Sequence, residues 1–370
     1  MFLLHIFTIK IILYSKVLLY YFSGTGNAKR VTEWISENVK TSGIPIEITN
    51  IENCKKVKIE KTEGKKLIGI ISPTHGFNIP PLVLYFIFKF PRVKNADFFM
   101  VNTRAGMKLS KLFLPGLSGL AQILPAIVFF FKGFSVKGLQ PIDLPSNWIS
   151  IHPGLKQKVV TSMFERIKMK IDKFSGKMLQ GKRSYVALYS LPFDLALIPI
   201  SIGYFFMGRF MLSKTFIATS KCTTCGLCVK QCPVQALEMK SNRPYWSFDC
   251  ESCMRCMNNC PSRAIETPHL FITLVWIVLL NLPWIILTWV FEKFGRCNCS
   301  ILWYEELIYN ALQVTFTFLF AWLTYYLLYK FMRFKFVDII IRYSSFTNYK
   351  FWRRYKAPKN KLKSDNQLQQ

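Results

Sequence analysis

The sequence predicts an α/β fold with a doubly wound parallel sheet, followed by a small α+β domain and a transmembrane hairpin of two helices. Three observations predict this arrangement. The stretch KVLLYYFSGTGNAKRVTEWI (16–35) combines an apolar strand, a glycine-rich turn and the start of an amphipathic helix. One cysteine phrase occurs twice between 222 and 261. The runs 270–291 and 311–329 contain no charged residue and are each long enough to cross a bilayer.

The composition limits the class of protein and its partners. The 370 residues have room for two or three domains, and 51% of them are apolar, which favours a globular protein with some membrane-embedded segments. The formal net charge of +29 predicts an anionic partner: nucleic acid, acidic lipid headgroups or an acidic protein. Eight of the 11 cysteines lie in the repeated phrase, which indicates metal chemistry in a reducing compartment rather than secreted disulfides. We therefore expect these domains in the cytoplasm.

The glycine-rich turn has the features of a phosphate-binding loop. Gly24 and Gly26 allow the backbone to approach an anion closely, and the new helix presents unpaired N–H groups. Ser23, Thr25 and Asn27 add side-chain donors. The sequence has no G-K-S/T after the turn and no three-glycine dinucleotide fingerprint, so it does not predict a nucleoside-triphosphate loop. On its pattern alone, the turn is equally compatible with a structural strand-to-helix connection.

Two further strands along the chain also end in polar loops. LIGIISPTHGFNIPPLV (67–83) and FFMVNTRAGMK (98–108) are each a strand that runs into a polar loop. Together with the first turn, these loops resemble the FMN-binding loops of flavodoxins, which converge at the carboxyl ends of the strands in a doubly wound sheet. The FMN-binding residues that the resemblance implies are Ser23, Gly24, Thr25, Gly26, Asn27, Pro73, Thr74, His75, Gly76, Phe77, Asn102, Thr103, Arg104 and Gly106.

Two positions in these loops leave questions open. Many flavodoxins carry a further hydroxyl residue where this chain has Ala28, so one phosphate donor is missing. His75 is either a hydrogen-bonded loop histidine or a group that tunes the flavin, and no acid or base role is assigned to it. The resemblance therefore specifies FMN but not its affinity.

The flavodoxin-like FMN domain is assigned to residues 17–190. Within it, AIVFFFKGFSV (126–136) predicts a buried strand, the stretch 140–155 a proline-rich loop and the stretch 155–180 an amphipathic helix with lysines on its polar face. None of these segments carries a recognisable ligand-binding motif.

An apolar connecting segment at 191–213 follows this domain. Its charge-free part, LALIPISIGYFFMG (195–208), is too short to cross a bilayer. A single crossing here would also place the domains before and after it on opposite sides of the membrane. We therefore expect an interfacial segment or one that packs between domains.

The cysteine phrase is C-x-x-C-x-x-C-x-x-x-C-P in both copies. Three thiolates at such spacing can surround one corner of a cubane, while the fourth reaches the other cluster. The alternative, a pair of zinc sites, usually has knuckles farther apart and does not need eight cysteines. Residues 214–266 closely resemble bacterial-type two-cluster ferredoxins. The resemblance implies two 4Fe-4S clusters, one held by Cys222, Cys225, Cys228 and Cys260, the other by Cys250, Cys253, Cys256 and Cys232.

The charge-free runs predict a transmembrane hairpin over 268–332, with spans at about 270–291 and 311–329. The intervening residues 292–310 have a net charge of 2 − 3 = −1, whereas the chain from Lys330 onward has 11 − 2 = +9. By the positive-inside rule the tail is cytoplasmic, and two spans place the cofactor domains on the same side. The alternative is a pair of buried helices in a soluble domain.

The remaining segments carry fewer signals. Neither span contains an ionisable residue, so the hairpin is predicted to be an anchor rather than an ion path. The basic cytoplasmic tail at 333–370 contains FWRRYKAPKNKLK (351–363), predicted to bind lipid headgroups, and no motif supports nucleic-acid binding. Residues 1–16 form an apolar extension without a signal-peptide cleavage site. No role is assigned to Cys54, Cys297 and Cys299.

The order of segments over about residues 17–266 resembles the flavodoxin–ferredoxin fusions called ferrodoxins. The resemblance implies electron transfer with FMN and two 4Fe-4S clusters. Together with the predicted hairpin and its charge distribution, it leads us to expect an electron carrier tethered to the cytoplasmic membrane, with its cofactor domains and C terminus in the cytoplasm. The alternatives are a flavin-dependent reductase of a small molecule that uses the ferredoxin domain as its electron supply, and a non-catalytic iron–sulfur assembly or sensing module. Because no nicotinamide fingerprint is present, we expect a redox protein partner, either an acidic ferredoxin or flavodoxin or a reductase.

Overall fold

The structure, a computed structural model, describes residues 13–54, 56, 57, 59, 63–109, 112–293, 303–355 and 357. Most of the apolar extension at 1–16, together with Cys297, Cys299 and the end of the basic tail, lies outside these residues. The predictions made for those parts remain predictions.

A seven-stranded sheet forms the centre of the first domain. Its strands are β1 (Lys16–Tyr21), β2 (Ile46–Asn50), β3 (Lys66–Pro73), β4 (Ala96–Leu109), β5 (Leu112–Leu114), β6 (Ser135–Pro145) and β7 (Ser184–Tyr185). The order is β2-β1-β3-β4-β6-β7 with parallel neighbours throughout, and β5 pairs antiparallel with the end of β4. This is the order of a flavodoxin-like doubly wound sheet, as the sequence predicts.

Helices cover both faces of the sheet. They are α1 (Asn27–Thr41), α2 (Pro81–Lys89), α3 (Leu120–Phe131) and α4 (Gln157–Leu179). Successive residues of a strand point to opposite faces, so Val17 and Leu19 of β1 pack with α1 and α4, whereas Leu18 and Tyr20 pack with α2 and α3. Every residue of the central strand β3 is buried, as expected of a parallel strand covered on both sides.

The strand predicted at 126–136 is wrong in its first half. Residues up to Phe131 belong to α3, and the strand β6 begins only at Ser135 and continues to Pro145, into the predicted loop. A short uninterrupted apolar run has neither helical nor strand periodicity, so its pattern cannot distinguish the two. Tertiary packing decides for the helix, because the fully buried Phe129 stacks on Phe98 with ring centroids 3.9 Å apart.

The connecting segment is almost entirely helical. It follows a 3₁₀ turn at Val186–Ser190 and consists of α5 (Leu191–Ala196), α6 (Ile198–Gly203), a π-helical turn at Tyr204–Gly208 and α7 (Arg209–Ser213). The parts 186–196 and 198–213 meet at an angle of 74°. The segment therefore bends around the first domain before it enters the second.

The second domain is small and α+β, as predicted. Its elements are β8 (Ile217–Ala218), α8 (Leu227–Lys230), β9 (Leu237–Lys240), β10 (Arg243–Trp246), α9 (Arg255–Asn259) and β11 (Ile265–Glu266). Each cysteine phrase contains one of the two short helices. Antiparallel pairing of β8 with β11 joins the chain before the first phrase to the chain after the second, which closes the domain.

Both predicted spans lie within long helices. These are α10 (His269–Lys293) and α11 (Trp303–Phe331). Residues of α10 between 271 and 276 line a small cavity together with residues of α11 between 321 and 328, so the start of α10 lies beside the end of α11. This arrangement is the one that a helical hairpin requires.

Length and hydropathy identify one helix in the described part of the chain that could cross a membrane by itself, Asn310–Phe331, of which 11% is buried. The bent pair 186–196 and 198–213 would add a second if it were counted as one span. The transmembrane character of the hairpin stays a prediction.

After α11 the chain folds back onto both domains. Helix α12 (Lys335–Tyr343) is followed by a segment that we call the strap, residues 352–355 and 357. The Trp352 indole N–H donates to the carbonyl oxygen of Ile149 in the first domain at 2.6 Å. The strap thus connects the chain after the hairpin to the domain at the start of the chain.

Arg354 attaches the strap to the second domain. Its guanidinium donates to the carbonyl oxygens of Met257 and Ile265, both at 2.7 Å, and pairs with the buried Glu266 at 3.5 Å. Arg354 is thus bonded to protein oxygens, and the prediction that 351–363 binds lipid headgroups remains a prediction.

Candidate functional site

Loops at the carboxyl ends of β1, β3, β4 and β6 surround a cavity of about 240 Å³, which we call the strand-end cavity. Ten predicted FMN-binding residues line it: Ser23, Gly24, Thr25, Asn27, Pro73, Thr74, Gly76, Phe77, Thr103 and Arg104. Four others, Gly26, His75, Asn102 and Gly106, do not line it. The rest of its wall is formed by Ala28, Ala105, Leu117, Pro145, Ser146, Asn147, Trp148, Ile151 and His152.

The first wall of the cavity is the glycine-rich turn. Gly26 has a φ of +103°, a conformation that glycine adopts without strain, and its N–H donates to Ser23 Oγ at 3.1 Å. The Asn27 amide donates to the carbonyl oxygen of Pro145 at 2.9 Å, and its Oδ1 accepts from the Tyr355 hydroxyl of the strap. Because Asn27 has protein partners at both ends of its carboxamide, the hydroxyl and backbone groups of the turn are the main donors left for a phosphate.

Asn102 lies beneath the cavity and holds its loops together. It is fully buried, and its Nδ2 donates to Thr74 Oγ1 at 2.6 Å and to Ser118 Oγ at 3.2 Å. Its Oδ1 accepts from Gln122 Nε2. Asn102 therefore orients Thr74 from below and does not face the cavity.

Arg104 brings a positive charge to the cavity wall that an acidic neighbour already balances. Its Nε donates to Asp143 Oδ1 at 2.7 Å. Gly106 lies against the same residue, because a Cβ at Gly106 would come within 2.7 Å of the Asp143 Cβ. The predicted residues of this third loop thus include two wall residues, Thr103 and Arg104, and one position, Gly106, where two strands must approach closely.

Sequence reasoning missed the fourth wall, the loop after β6. Asn147 Nδ2 donates to Thr25 Oγ1 at 2.8 Å, and His152 Nε2 lies 2.7 Å from Ser146 Oγ. The sequence analysis treated this stretch only as a proline-rich loop. Its position in the order of strands is the signal that could have found it, because every loop at this edge of a doubly wound sheet faces the same crevice.

Polar atoms without partners lie next to the cavity. Both ring nitrogens of His75 and the indole N–H of Trp148 are shielded from solvent and have no hydrogen-bond partner among the described residues. Burial lowers the pKa of His75 to about 4, so the ring is neutral at physiological pH. Whether His75 is a hydrogen-bonded loop histidine or a group that tunes the flavin stays open, because the backbone of Glu251 lies next to its ring. Unsatisfied donors beside an aromatic-lined cavity fit a polar ring system such as a flavin.

The cysteines of the second domain surround two small cavities. One is lined by Cys222, Cys225, Cys228 and Cys260, which we call the outer set, and the other by Cys232, Cys250, Cys253 and Cys256, the inner set. Cys256 also reaches the wall of the first cavity. The structure thus brings together the same groups of four that the ferredoxin resemblance implies. Within the described residues, no three His, Cys, Asp or Glu side chains are arranged to hold a single metal ion.

The electrostatics of the thiols fit an iron–sulfur cluster. Burial raises the pKa of the Cys228 and Cys253 thiols to about 11, so a thiolate at either position requires a compensating positive charge, which iron supplies. Backbone N–H groups donate to the fourth sulfur of each phrase, from Ala236 to Cys232 and from Ala264 to Cys260, both at 3.3 Å. Such bonds stabilise sulfur that carries negative charge.

Cysteine substitutions test the crossing of the two phrases. We expect Cys232→Ser to remove the inner cluster and Cys222→Ser the outer one, so that each lowers iron and acid-labile sulfide to roughly half, and the double variant lowers both to near zero. If Cys232 belonged to the same cluster as Cys222, the double variant would lose no more than either single variant. Cys54→Ser, outside both sets, is the control and should keep full iron content.

The loop of the inner set contacts the glycine-rich turn of the first domain directly. A Cβ at Gly24 would lie 2.3 Å from the carbonyl oxygen of Cys253. Arg255 donates to the carbonyl oxygens of Ser23 at 2.7 Å and Gly24 at 3.2 Å. Cys225, in contrast, is exposed to solvent. The inner cysteine loop therefore packs on the turn that borders the strand-end cavity.

Comparison with known proteins supports the assignment of the second domain. A family model described as a 4Fe-4S dicluster domain matches residues 221–265. A search of curated proteins gives no match.

Among solved structures, the chain is similar to the flavodoxin of Streptococcus pneumoniae TIGR4, with 11% identity and a TM-score of 0.30 over 44% of this chain and 99% of that one. It is also similar to flavodoxin 1 of Bacillus cereus, with 16% identity and a TM-score of 0.29 over 43% and 98%. A third is a flavo di-iron protein of Thermotoga maritima, with 14% identity and a TM-score of 0.27 over 45% and 36%.

Proposed function

We propose that this chain is a membrane-tethered electron-transfer protein that passes electrons between FMN and two 4Fe-4S clusters. A flavodoxin-like sheet and a 4Fe-4S domain in one chain favour electron transfer. The contact between Gly24 and the inner cysteine loop is the observation that carries the proposal. It supports direct packing of the predicted phosphate turn on the backbone of Cys253, one of the four inner cysteines.

The residues of the chain have separate tasks in this arrangement. Ser23, Thr25 and the N–H groups of the turn would hold the FMN phosphate, and Gly76 and Trp148 would flank its ring. When bound, FMN can hold one or two electrons whereas each cluster handles one, so FMN and the clusters together can couple two-electron transfer to one-electron transfer. Arg255 fixes the distance between the two sites through its bonds to the turn.

Cofactor analysis tests the proposal. We expect about eight iron atoms, about eight acid-labile sulfides and about one FMN per chain from anaerobically purified protein. Zinc without acid-labile sulfide would end the cluster assignment, and absence of flavin from the reconstituted protein would end the FMN assignment.

A flavin-dependent reductase of a small molecule is the second candidate. Leu117 and Ile151 line the strand-end cavity and are both exposed, so the cavity reaches the surface, where a small acceptor could arrive. Steady turnover of a small acceptor without a protein partner would favour the reductase. A carrier would instead react once per reduction and then need an external redox protein, for which the net charge of +29 favours an acidic one.

The membrane tether rests on the two long helices and on the strap. The strap contacts Ile149 in the first domain and Met257 in the second, which supports having the chain before α10 and the chain after α11 on the same side. With cytoplasmic cofactor domains, only the connection between α10 and α11 would be outside.

Orientation can be measured in intact spheroplasts. We expect a tag placed after Gln370 to resist added protease until the cells are lysed, and a membrane-impermeant thiol reagent to label Cys297 or Cys299 if they are free. The control is Cys54→Ser, which should not change the labelling, because Cys54 lies in the first domain. A tag that is digested without lysis would contradict the hairpin.

A further inference from the structure

The residues 186–208, which we call the flanking segment, have two distinct faces. Ala187 of the 3₁₀ turn, Asp194 of α5 and Ser201 of α6 are buried, so each part of the segment has a side that packs on the protein. Large apolar side chains on the other side are exposed: Tyr189 is 89% exposed, Phe193 67% and Phe206 68%. Such a segment has one side fixed to the protein and one side available to an apolar environment.

The inner face holds a loop that borders the strand-end cavity. One carboxylate oxygen of Asp194 accepts from the backbone N–H groups of Ser118 at 2.9 Å and Gly119 at 2.7 Å. The Ser118 hydroxyl in turn accepts from Asn102 and Arg104 at 3.2 and 3.3 Å. Asp194 therefore holds the loop at Ser118 and Gly119 in place, and this loop binds the side chains of two predicted flavin-site residues, Asn102 and Arg104.

Tyr204 makes the second contact of the inner face. Its ring packs so closely on Gly76 that a Cβ there would lie 2.0 Å from the ring carbons, and its centroid is 5.7 Å from that of Trp148. Gly76 and Trp148 both line the cavity. The flanking segment is thus a structural part of the candidate flavin site although it lies outside the sheet.

The outer face continues toward the hairpin. Just beyond the segment, Met211 and Lys214 line the same small cavity as Phe271 of α10 and Tyr325 of α11, so the segment runs into the base of the two long helices. A full crossing by 186–208 is incompatible with the inner face, because the buried Asp194 remains bonded to the first domain. A membrane contact of this segment is therefore restricted to the bilayer surface.

We propose that the flanking segment lies in the headgroup region of the bilayer, with its outer face in lipid and its inner face forming a wall of the flavin site. The proposal rests on the membrane tether of the proposed function. Two exposed cations just before the segment, Lys182 and Arg183, complement acidic headgroups. Lipid contact then stabilises the loop that Asp194 holds and, through it, the flavin site.

Site-specific photo-crosslinking tests the position of the outer face. The full chain is placed in nanodiscs of phosphatidylethanolamine and phosphatidylglycerol, with p-benzoylphenylalanine replacing Phe193, Phe206, Leu319 or Met169, one at a time. Leu319 of α11 and Met169 of α4 are each 61% exposed, which matches the two test positions. We expect lipid adducts at Phe193, Phe206 and Leu319 and none at Met169.

The outcomes separate the two proposals. An adduct at Leu319 with none at Phe193 and Phe206 would overturn the interfacial segment and leave the tether intact. Absence of lipid adducts at all positions would overturn both. Protein–protein adducts at Phe193 or Phe206 would show that a second copy or another protein covers this face, and would also overturn the proposal.

A second measurement tests the link to the flavin site. In the same nanodiscs, Asp194→Ala should raise the FMN dissociation constant about tenfold, because two backbone donors lose a charged acceptor. Asp194→Asn, which keeps an acceptor oxygen, should restore part of the affinity, and Phe88→Ala, exposed on α2, should not change it. An Asp194→Ala protein that binds FMN like the wild type would disprove the link, whereas a wild type without FMN affinity would disprove the proposed function itself.

Discussion

Replacing Gly24 with alanine is expected to weaken FMN binding by roughly 10- to 100-fold, the range that corresponds to the cost of overpacking a well-packed site. The added Cβ would lie 2.3 Å from the carbonyl oxygen of Cys253 and 3.2 Å from its carbonyl carbon. Both neighbours are backbone atoms, so neither the turn nor the cysteine loop can yield by a side-chain rotation. Titration of the apo-protein with FMN, followed by flavin fluorescence, measures the effect.

The same substitution should also disturb the inner cluster and leave the outer one intact, because only the inner set packs on Gly24. The matched control is Gly176→Ala, at a helical glycine of α4 where a Cβ meets no atom within 4 Å. It should keep wild-type FMN affinity and iron content. A Gly24→Ala protein with wild-type FMN affinity would show that this turn does not bind the phosphate or that the two domains do not pack as described.

Of the substitutions proposed, Arg255→Met is expected to lower the free energy of unfolding most, by about 3 kcal/mol. This is the usual cost when a buried ion pair loses one partner. Arg255 and Glu52 are paired with side chains only 15% and 12% exposed. The substitution also leaves the carbonyl oxygens of Ser23, Gly24 and Gln231 without their donor. At 2 to 4 °C per kcal/mol, thermal unfolding should shift down by roughly 6 to 12 °C.

Two further variants serve as controls for Arg255→Met. Glu52→Gln combined with Arg255→Met should recover part of the loss, because it removes the isolated carboxylate. Arg92→Met, at an exposed arginine, should shift the midpoint of thermal unfolding by less than about 1 °C, because an exposed charge contributes little to stability. An Arg255→Met protein as stable as the wild type would mean that Arg255 does not join the two domains.

The sequence was sufficient where function depends on local spacing. The repeated cysteine phrase identified the eight ligands by its spacing, and its resemblance to two-cluster ferredoxins implied the two sets of four, in which the fourth cysteine comes from the other phrase. The order of apolar strands and polar turns predicted the doubly wound sheet, because parallel strands place all such turns at one edge. The prediction from sequence failed at 126–136, because an apolar run without periodicity fits a helix as well as a strand.

The tertiary structure alone decided how these parts meet. The bond between Tyr355 and Asn27 joins residues 328 positions apart, and the bond from Arg255 to Ser23 joins residues 232 apart. No local sequence pattern marks the residues of either pair. For the same reason, the sequence predicted lipid binding for the stretch that contains Arg354 and only a connecting role for the segment that contains Asp194. Contacts at these separations depend on how whole domains pack, which no window of sequence contains.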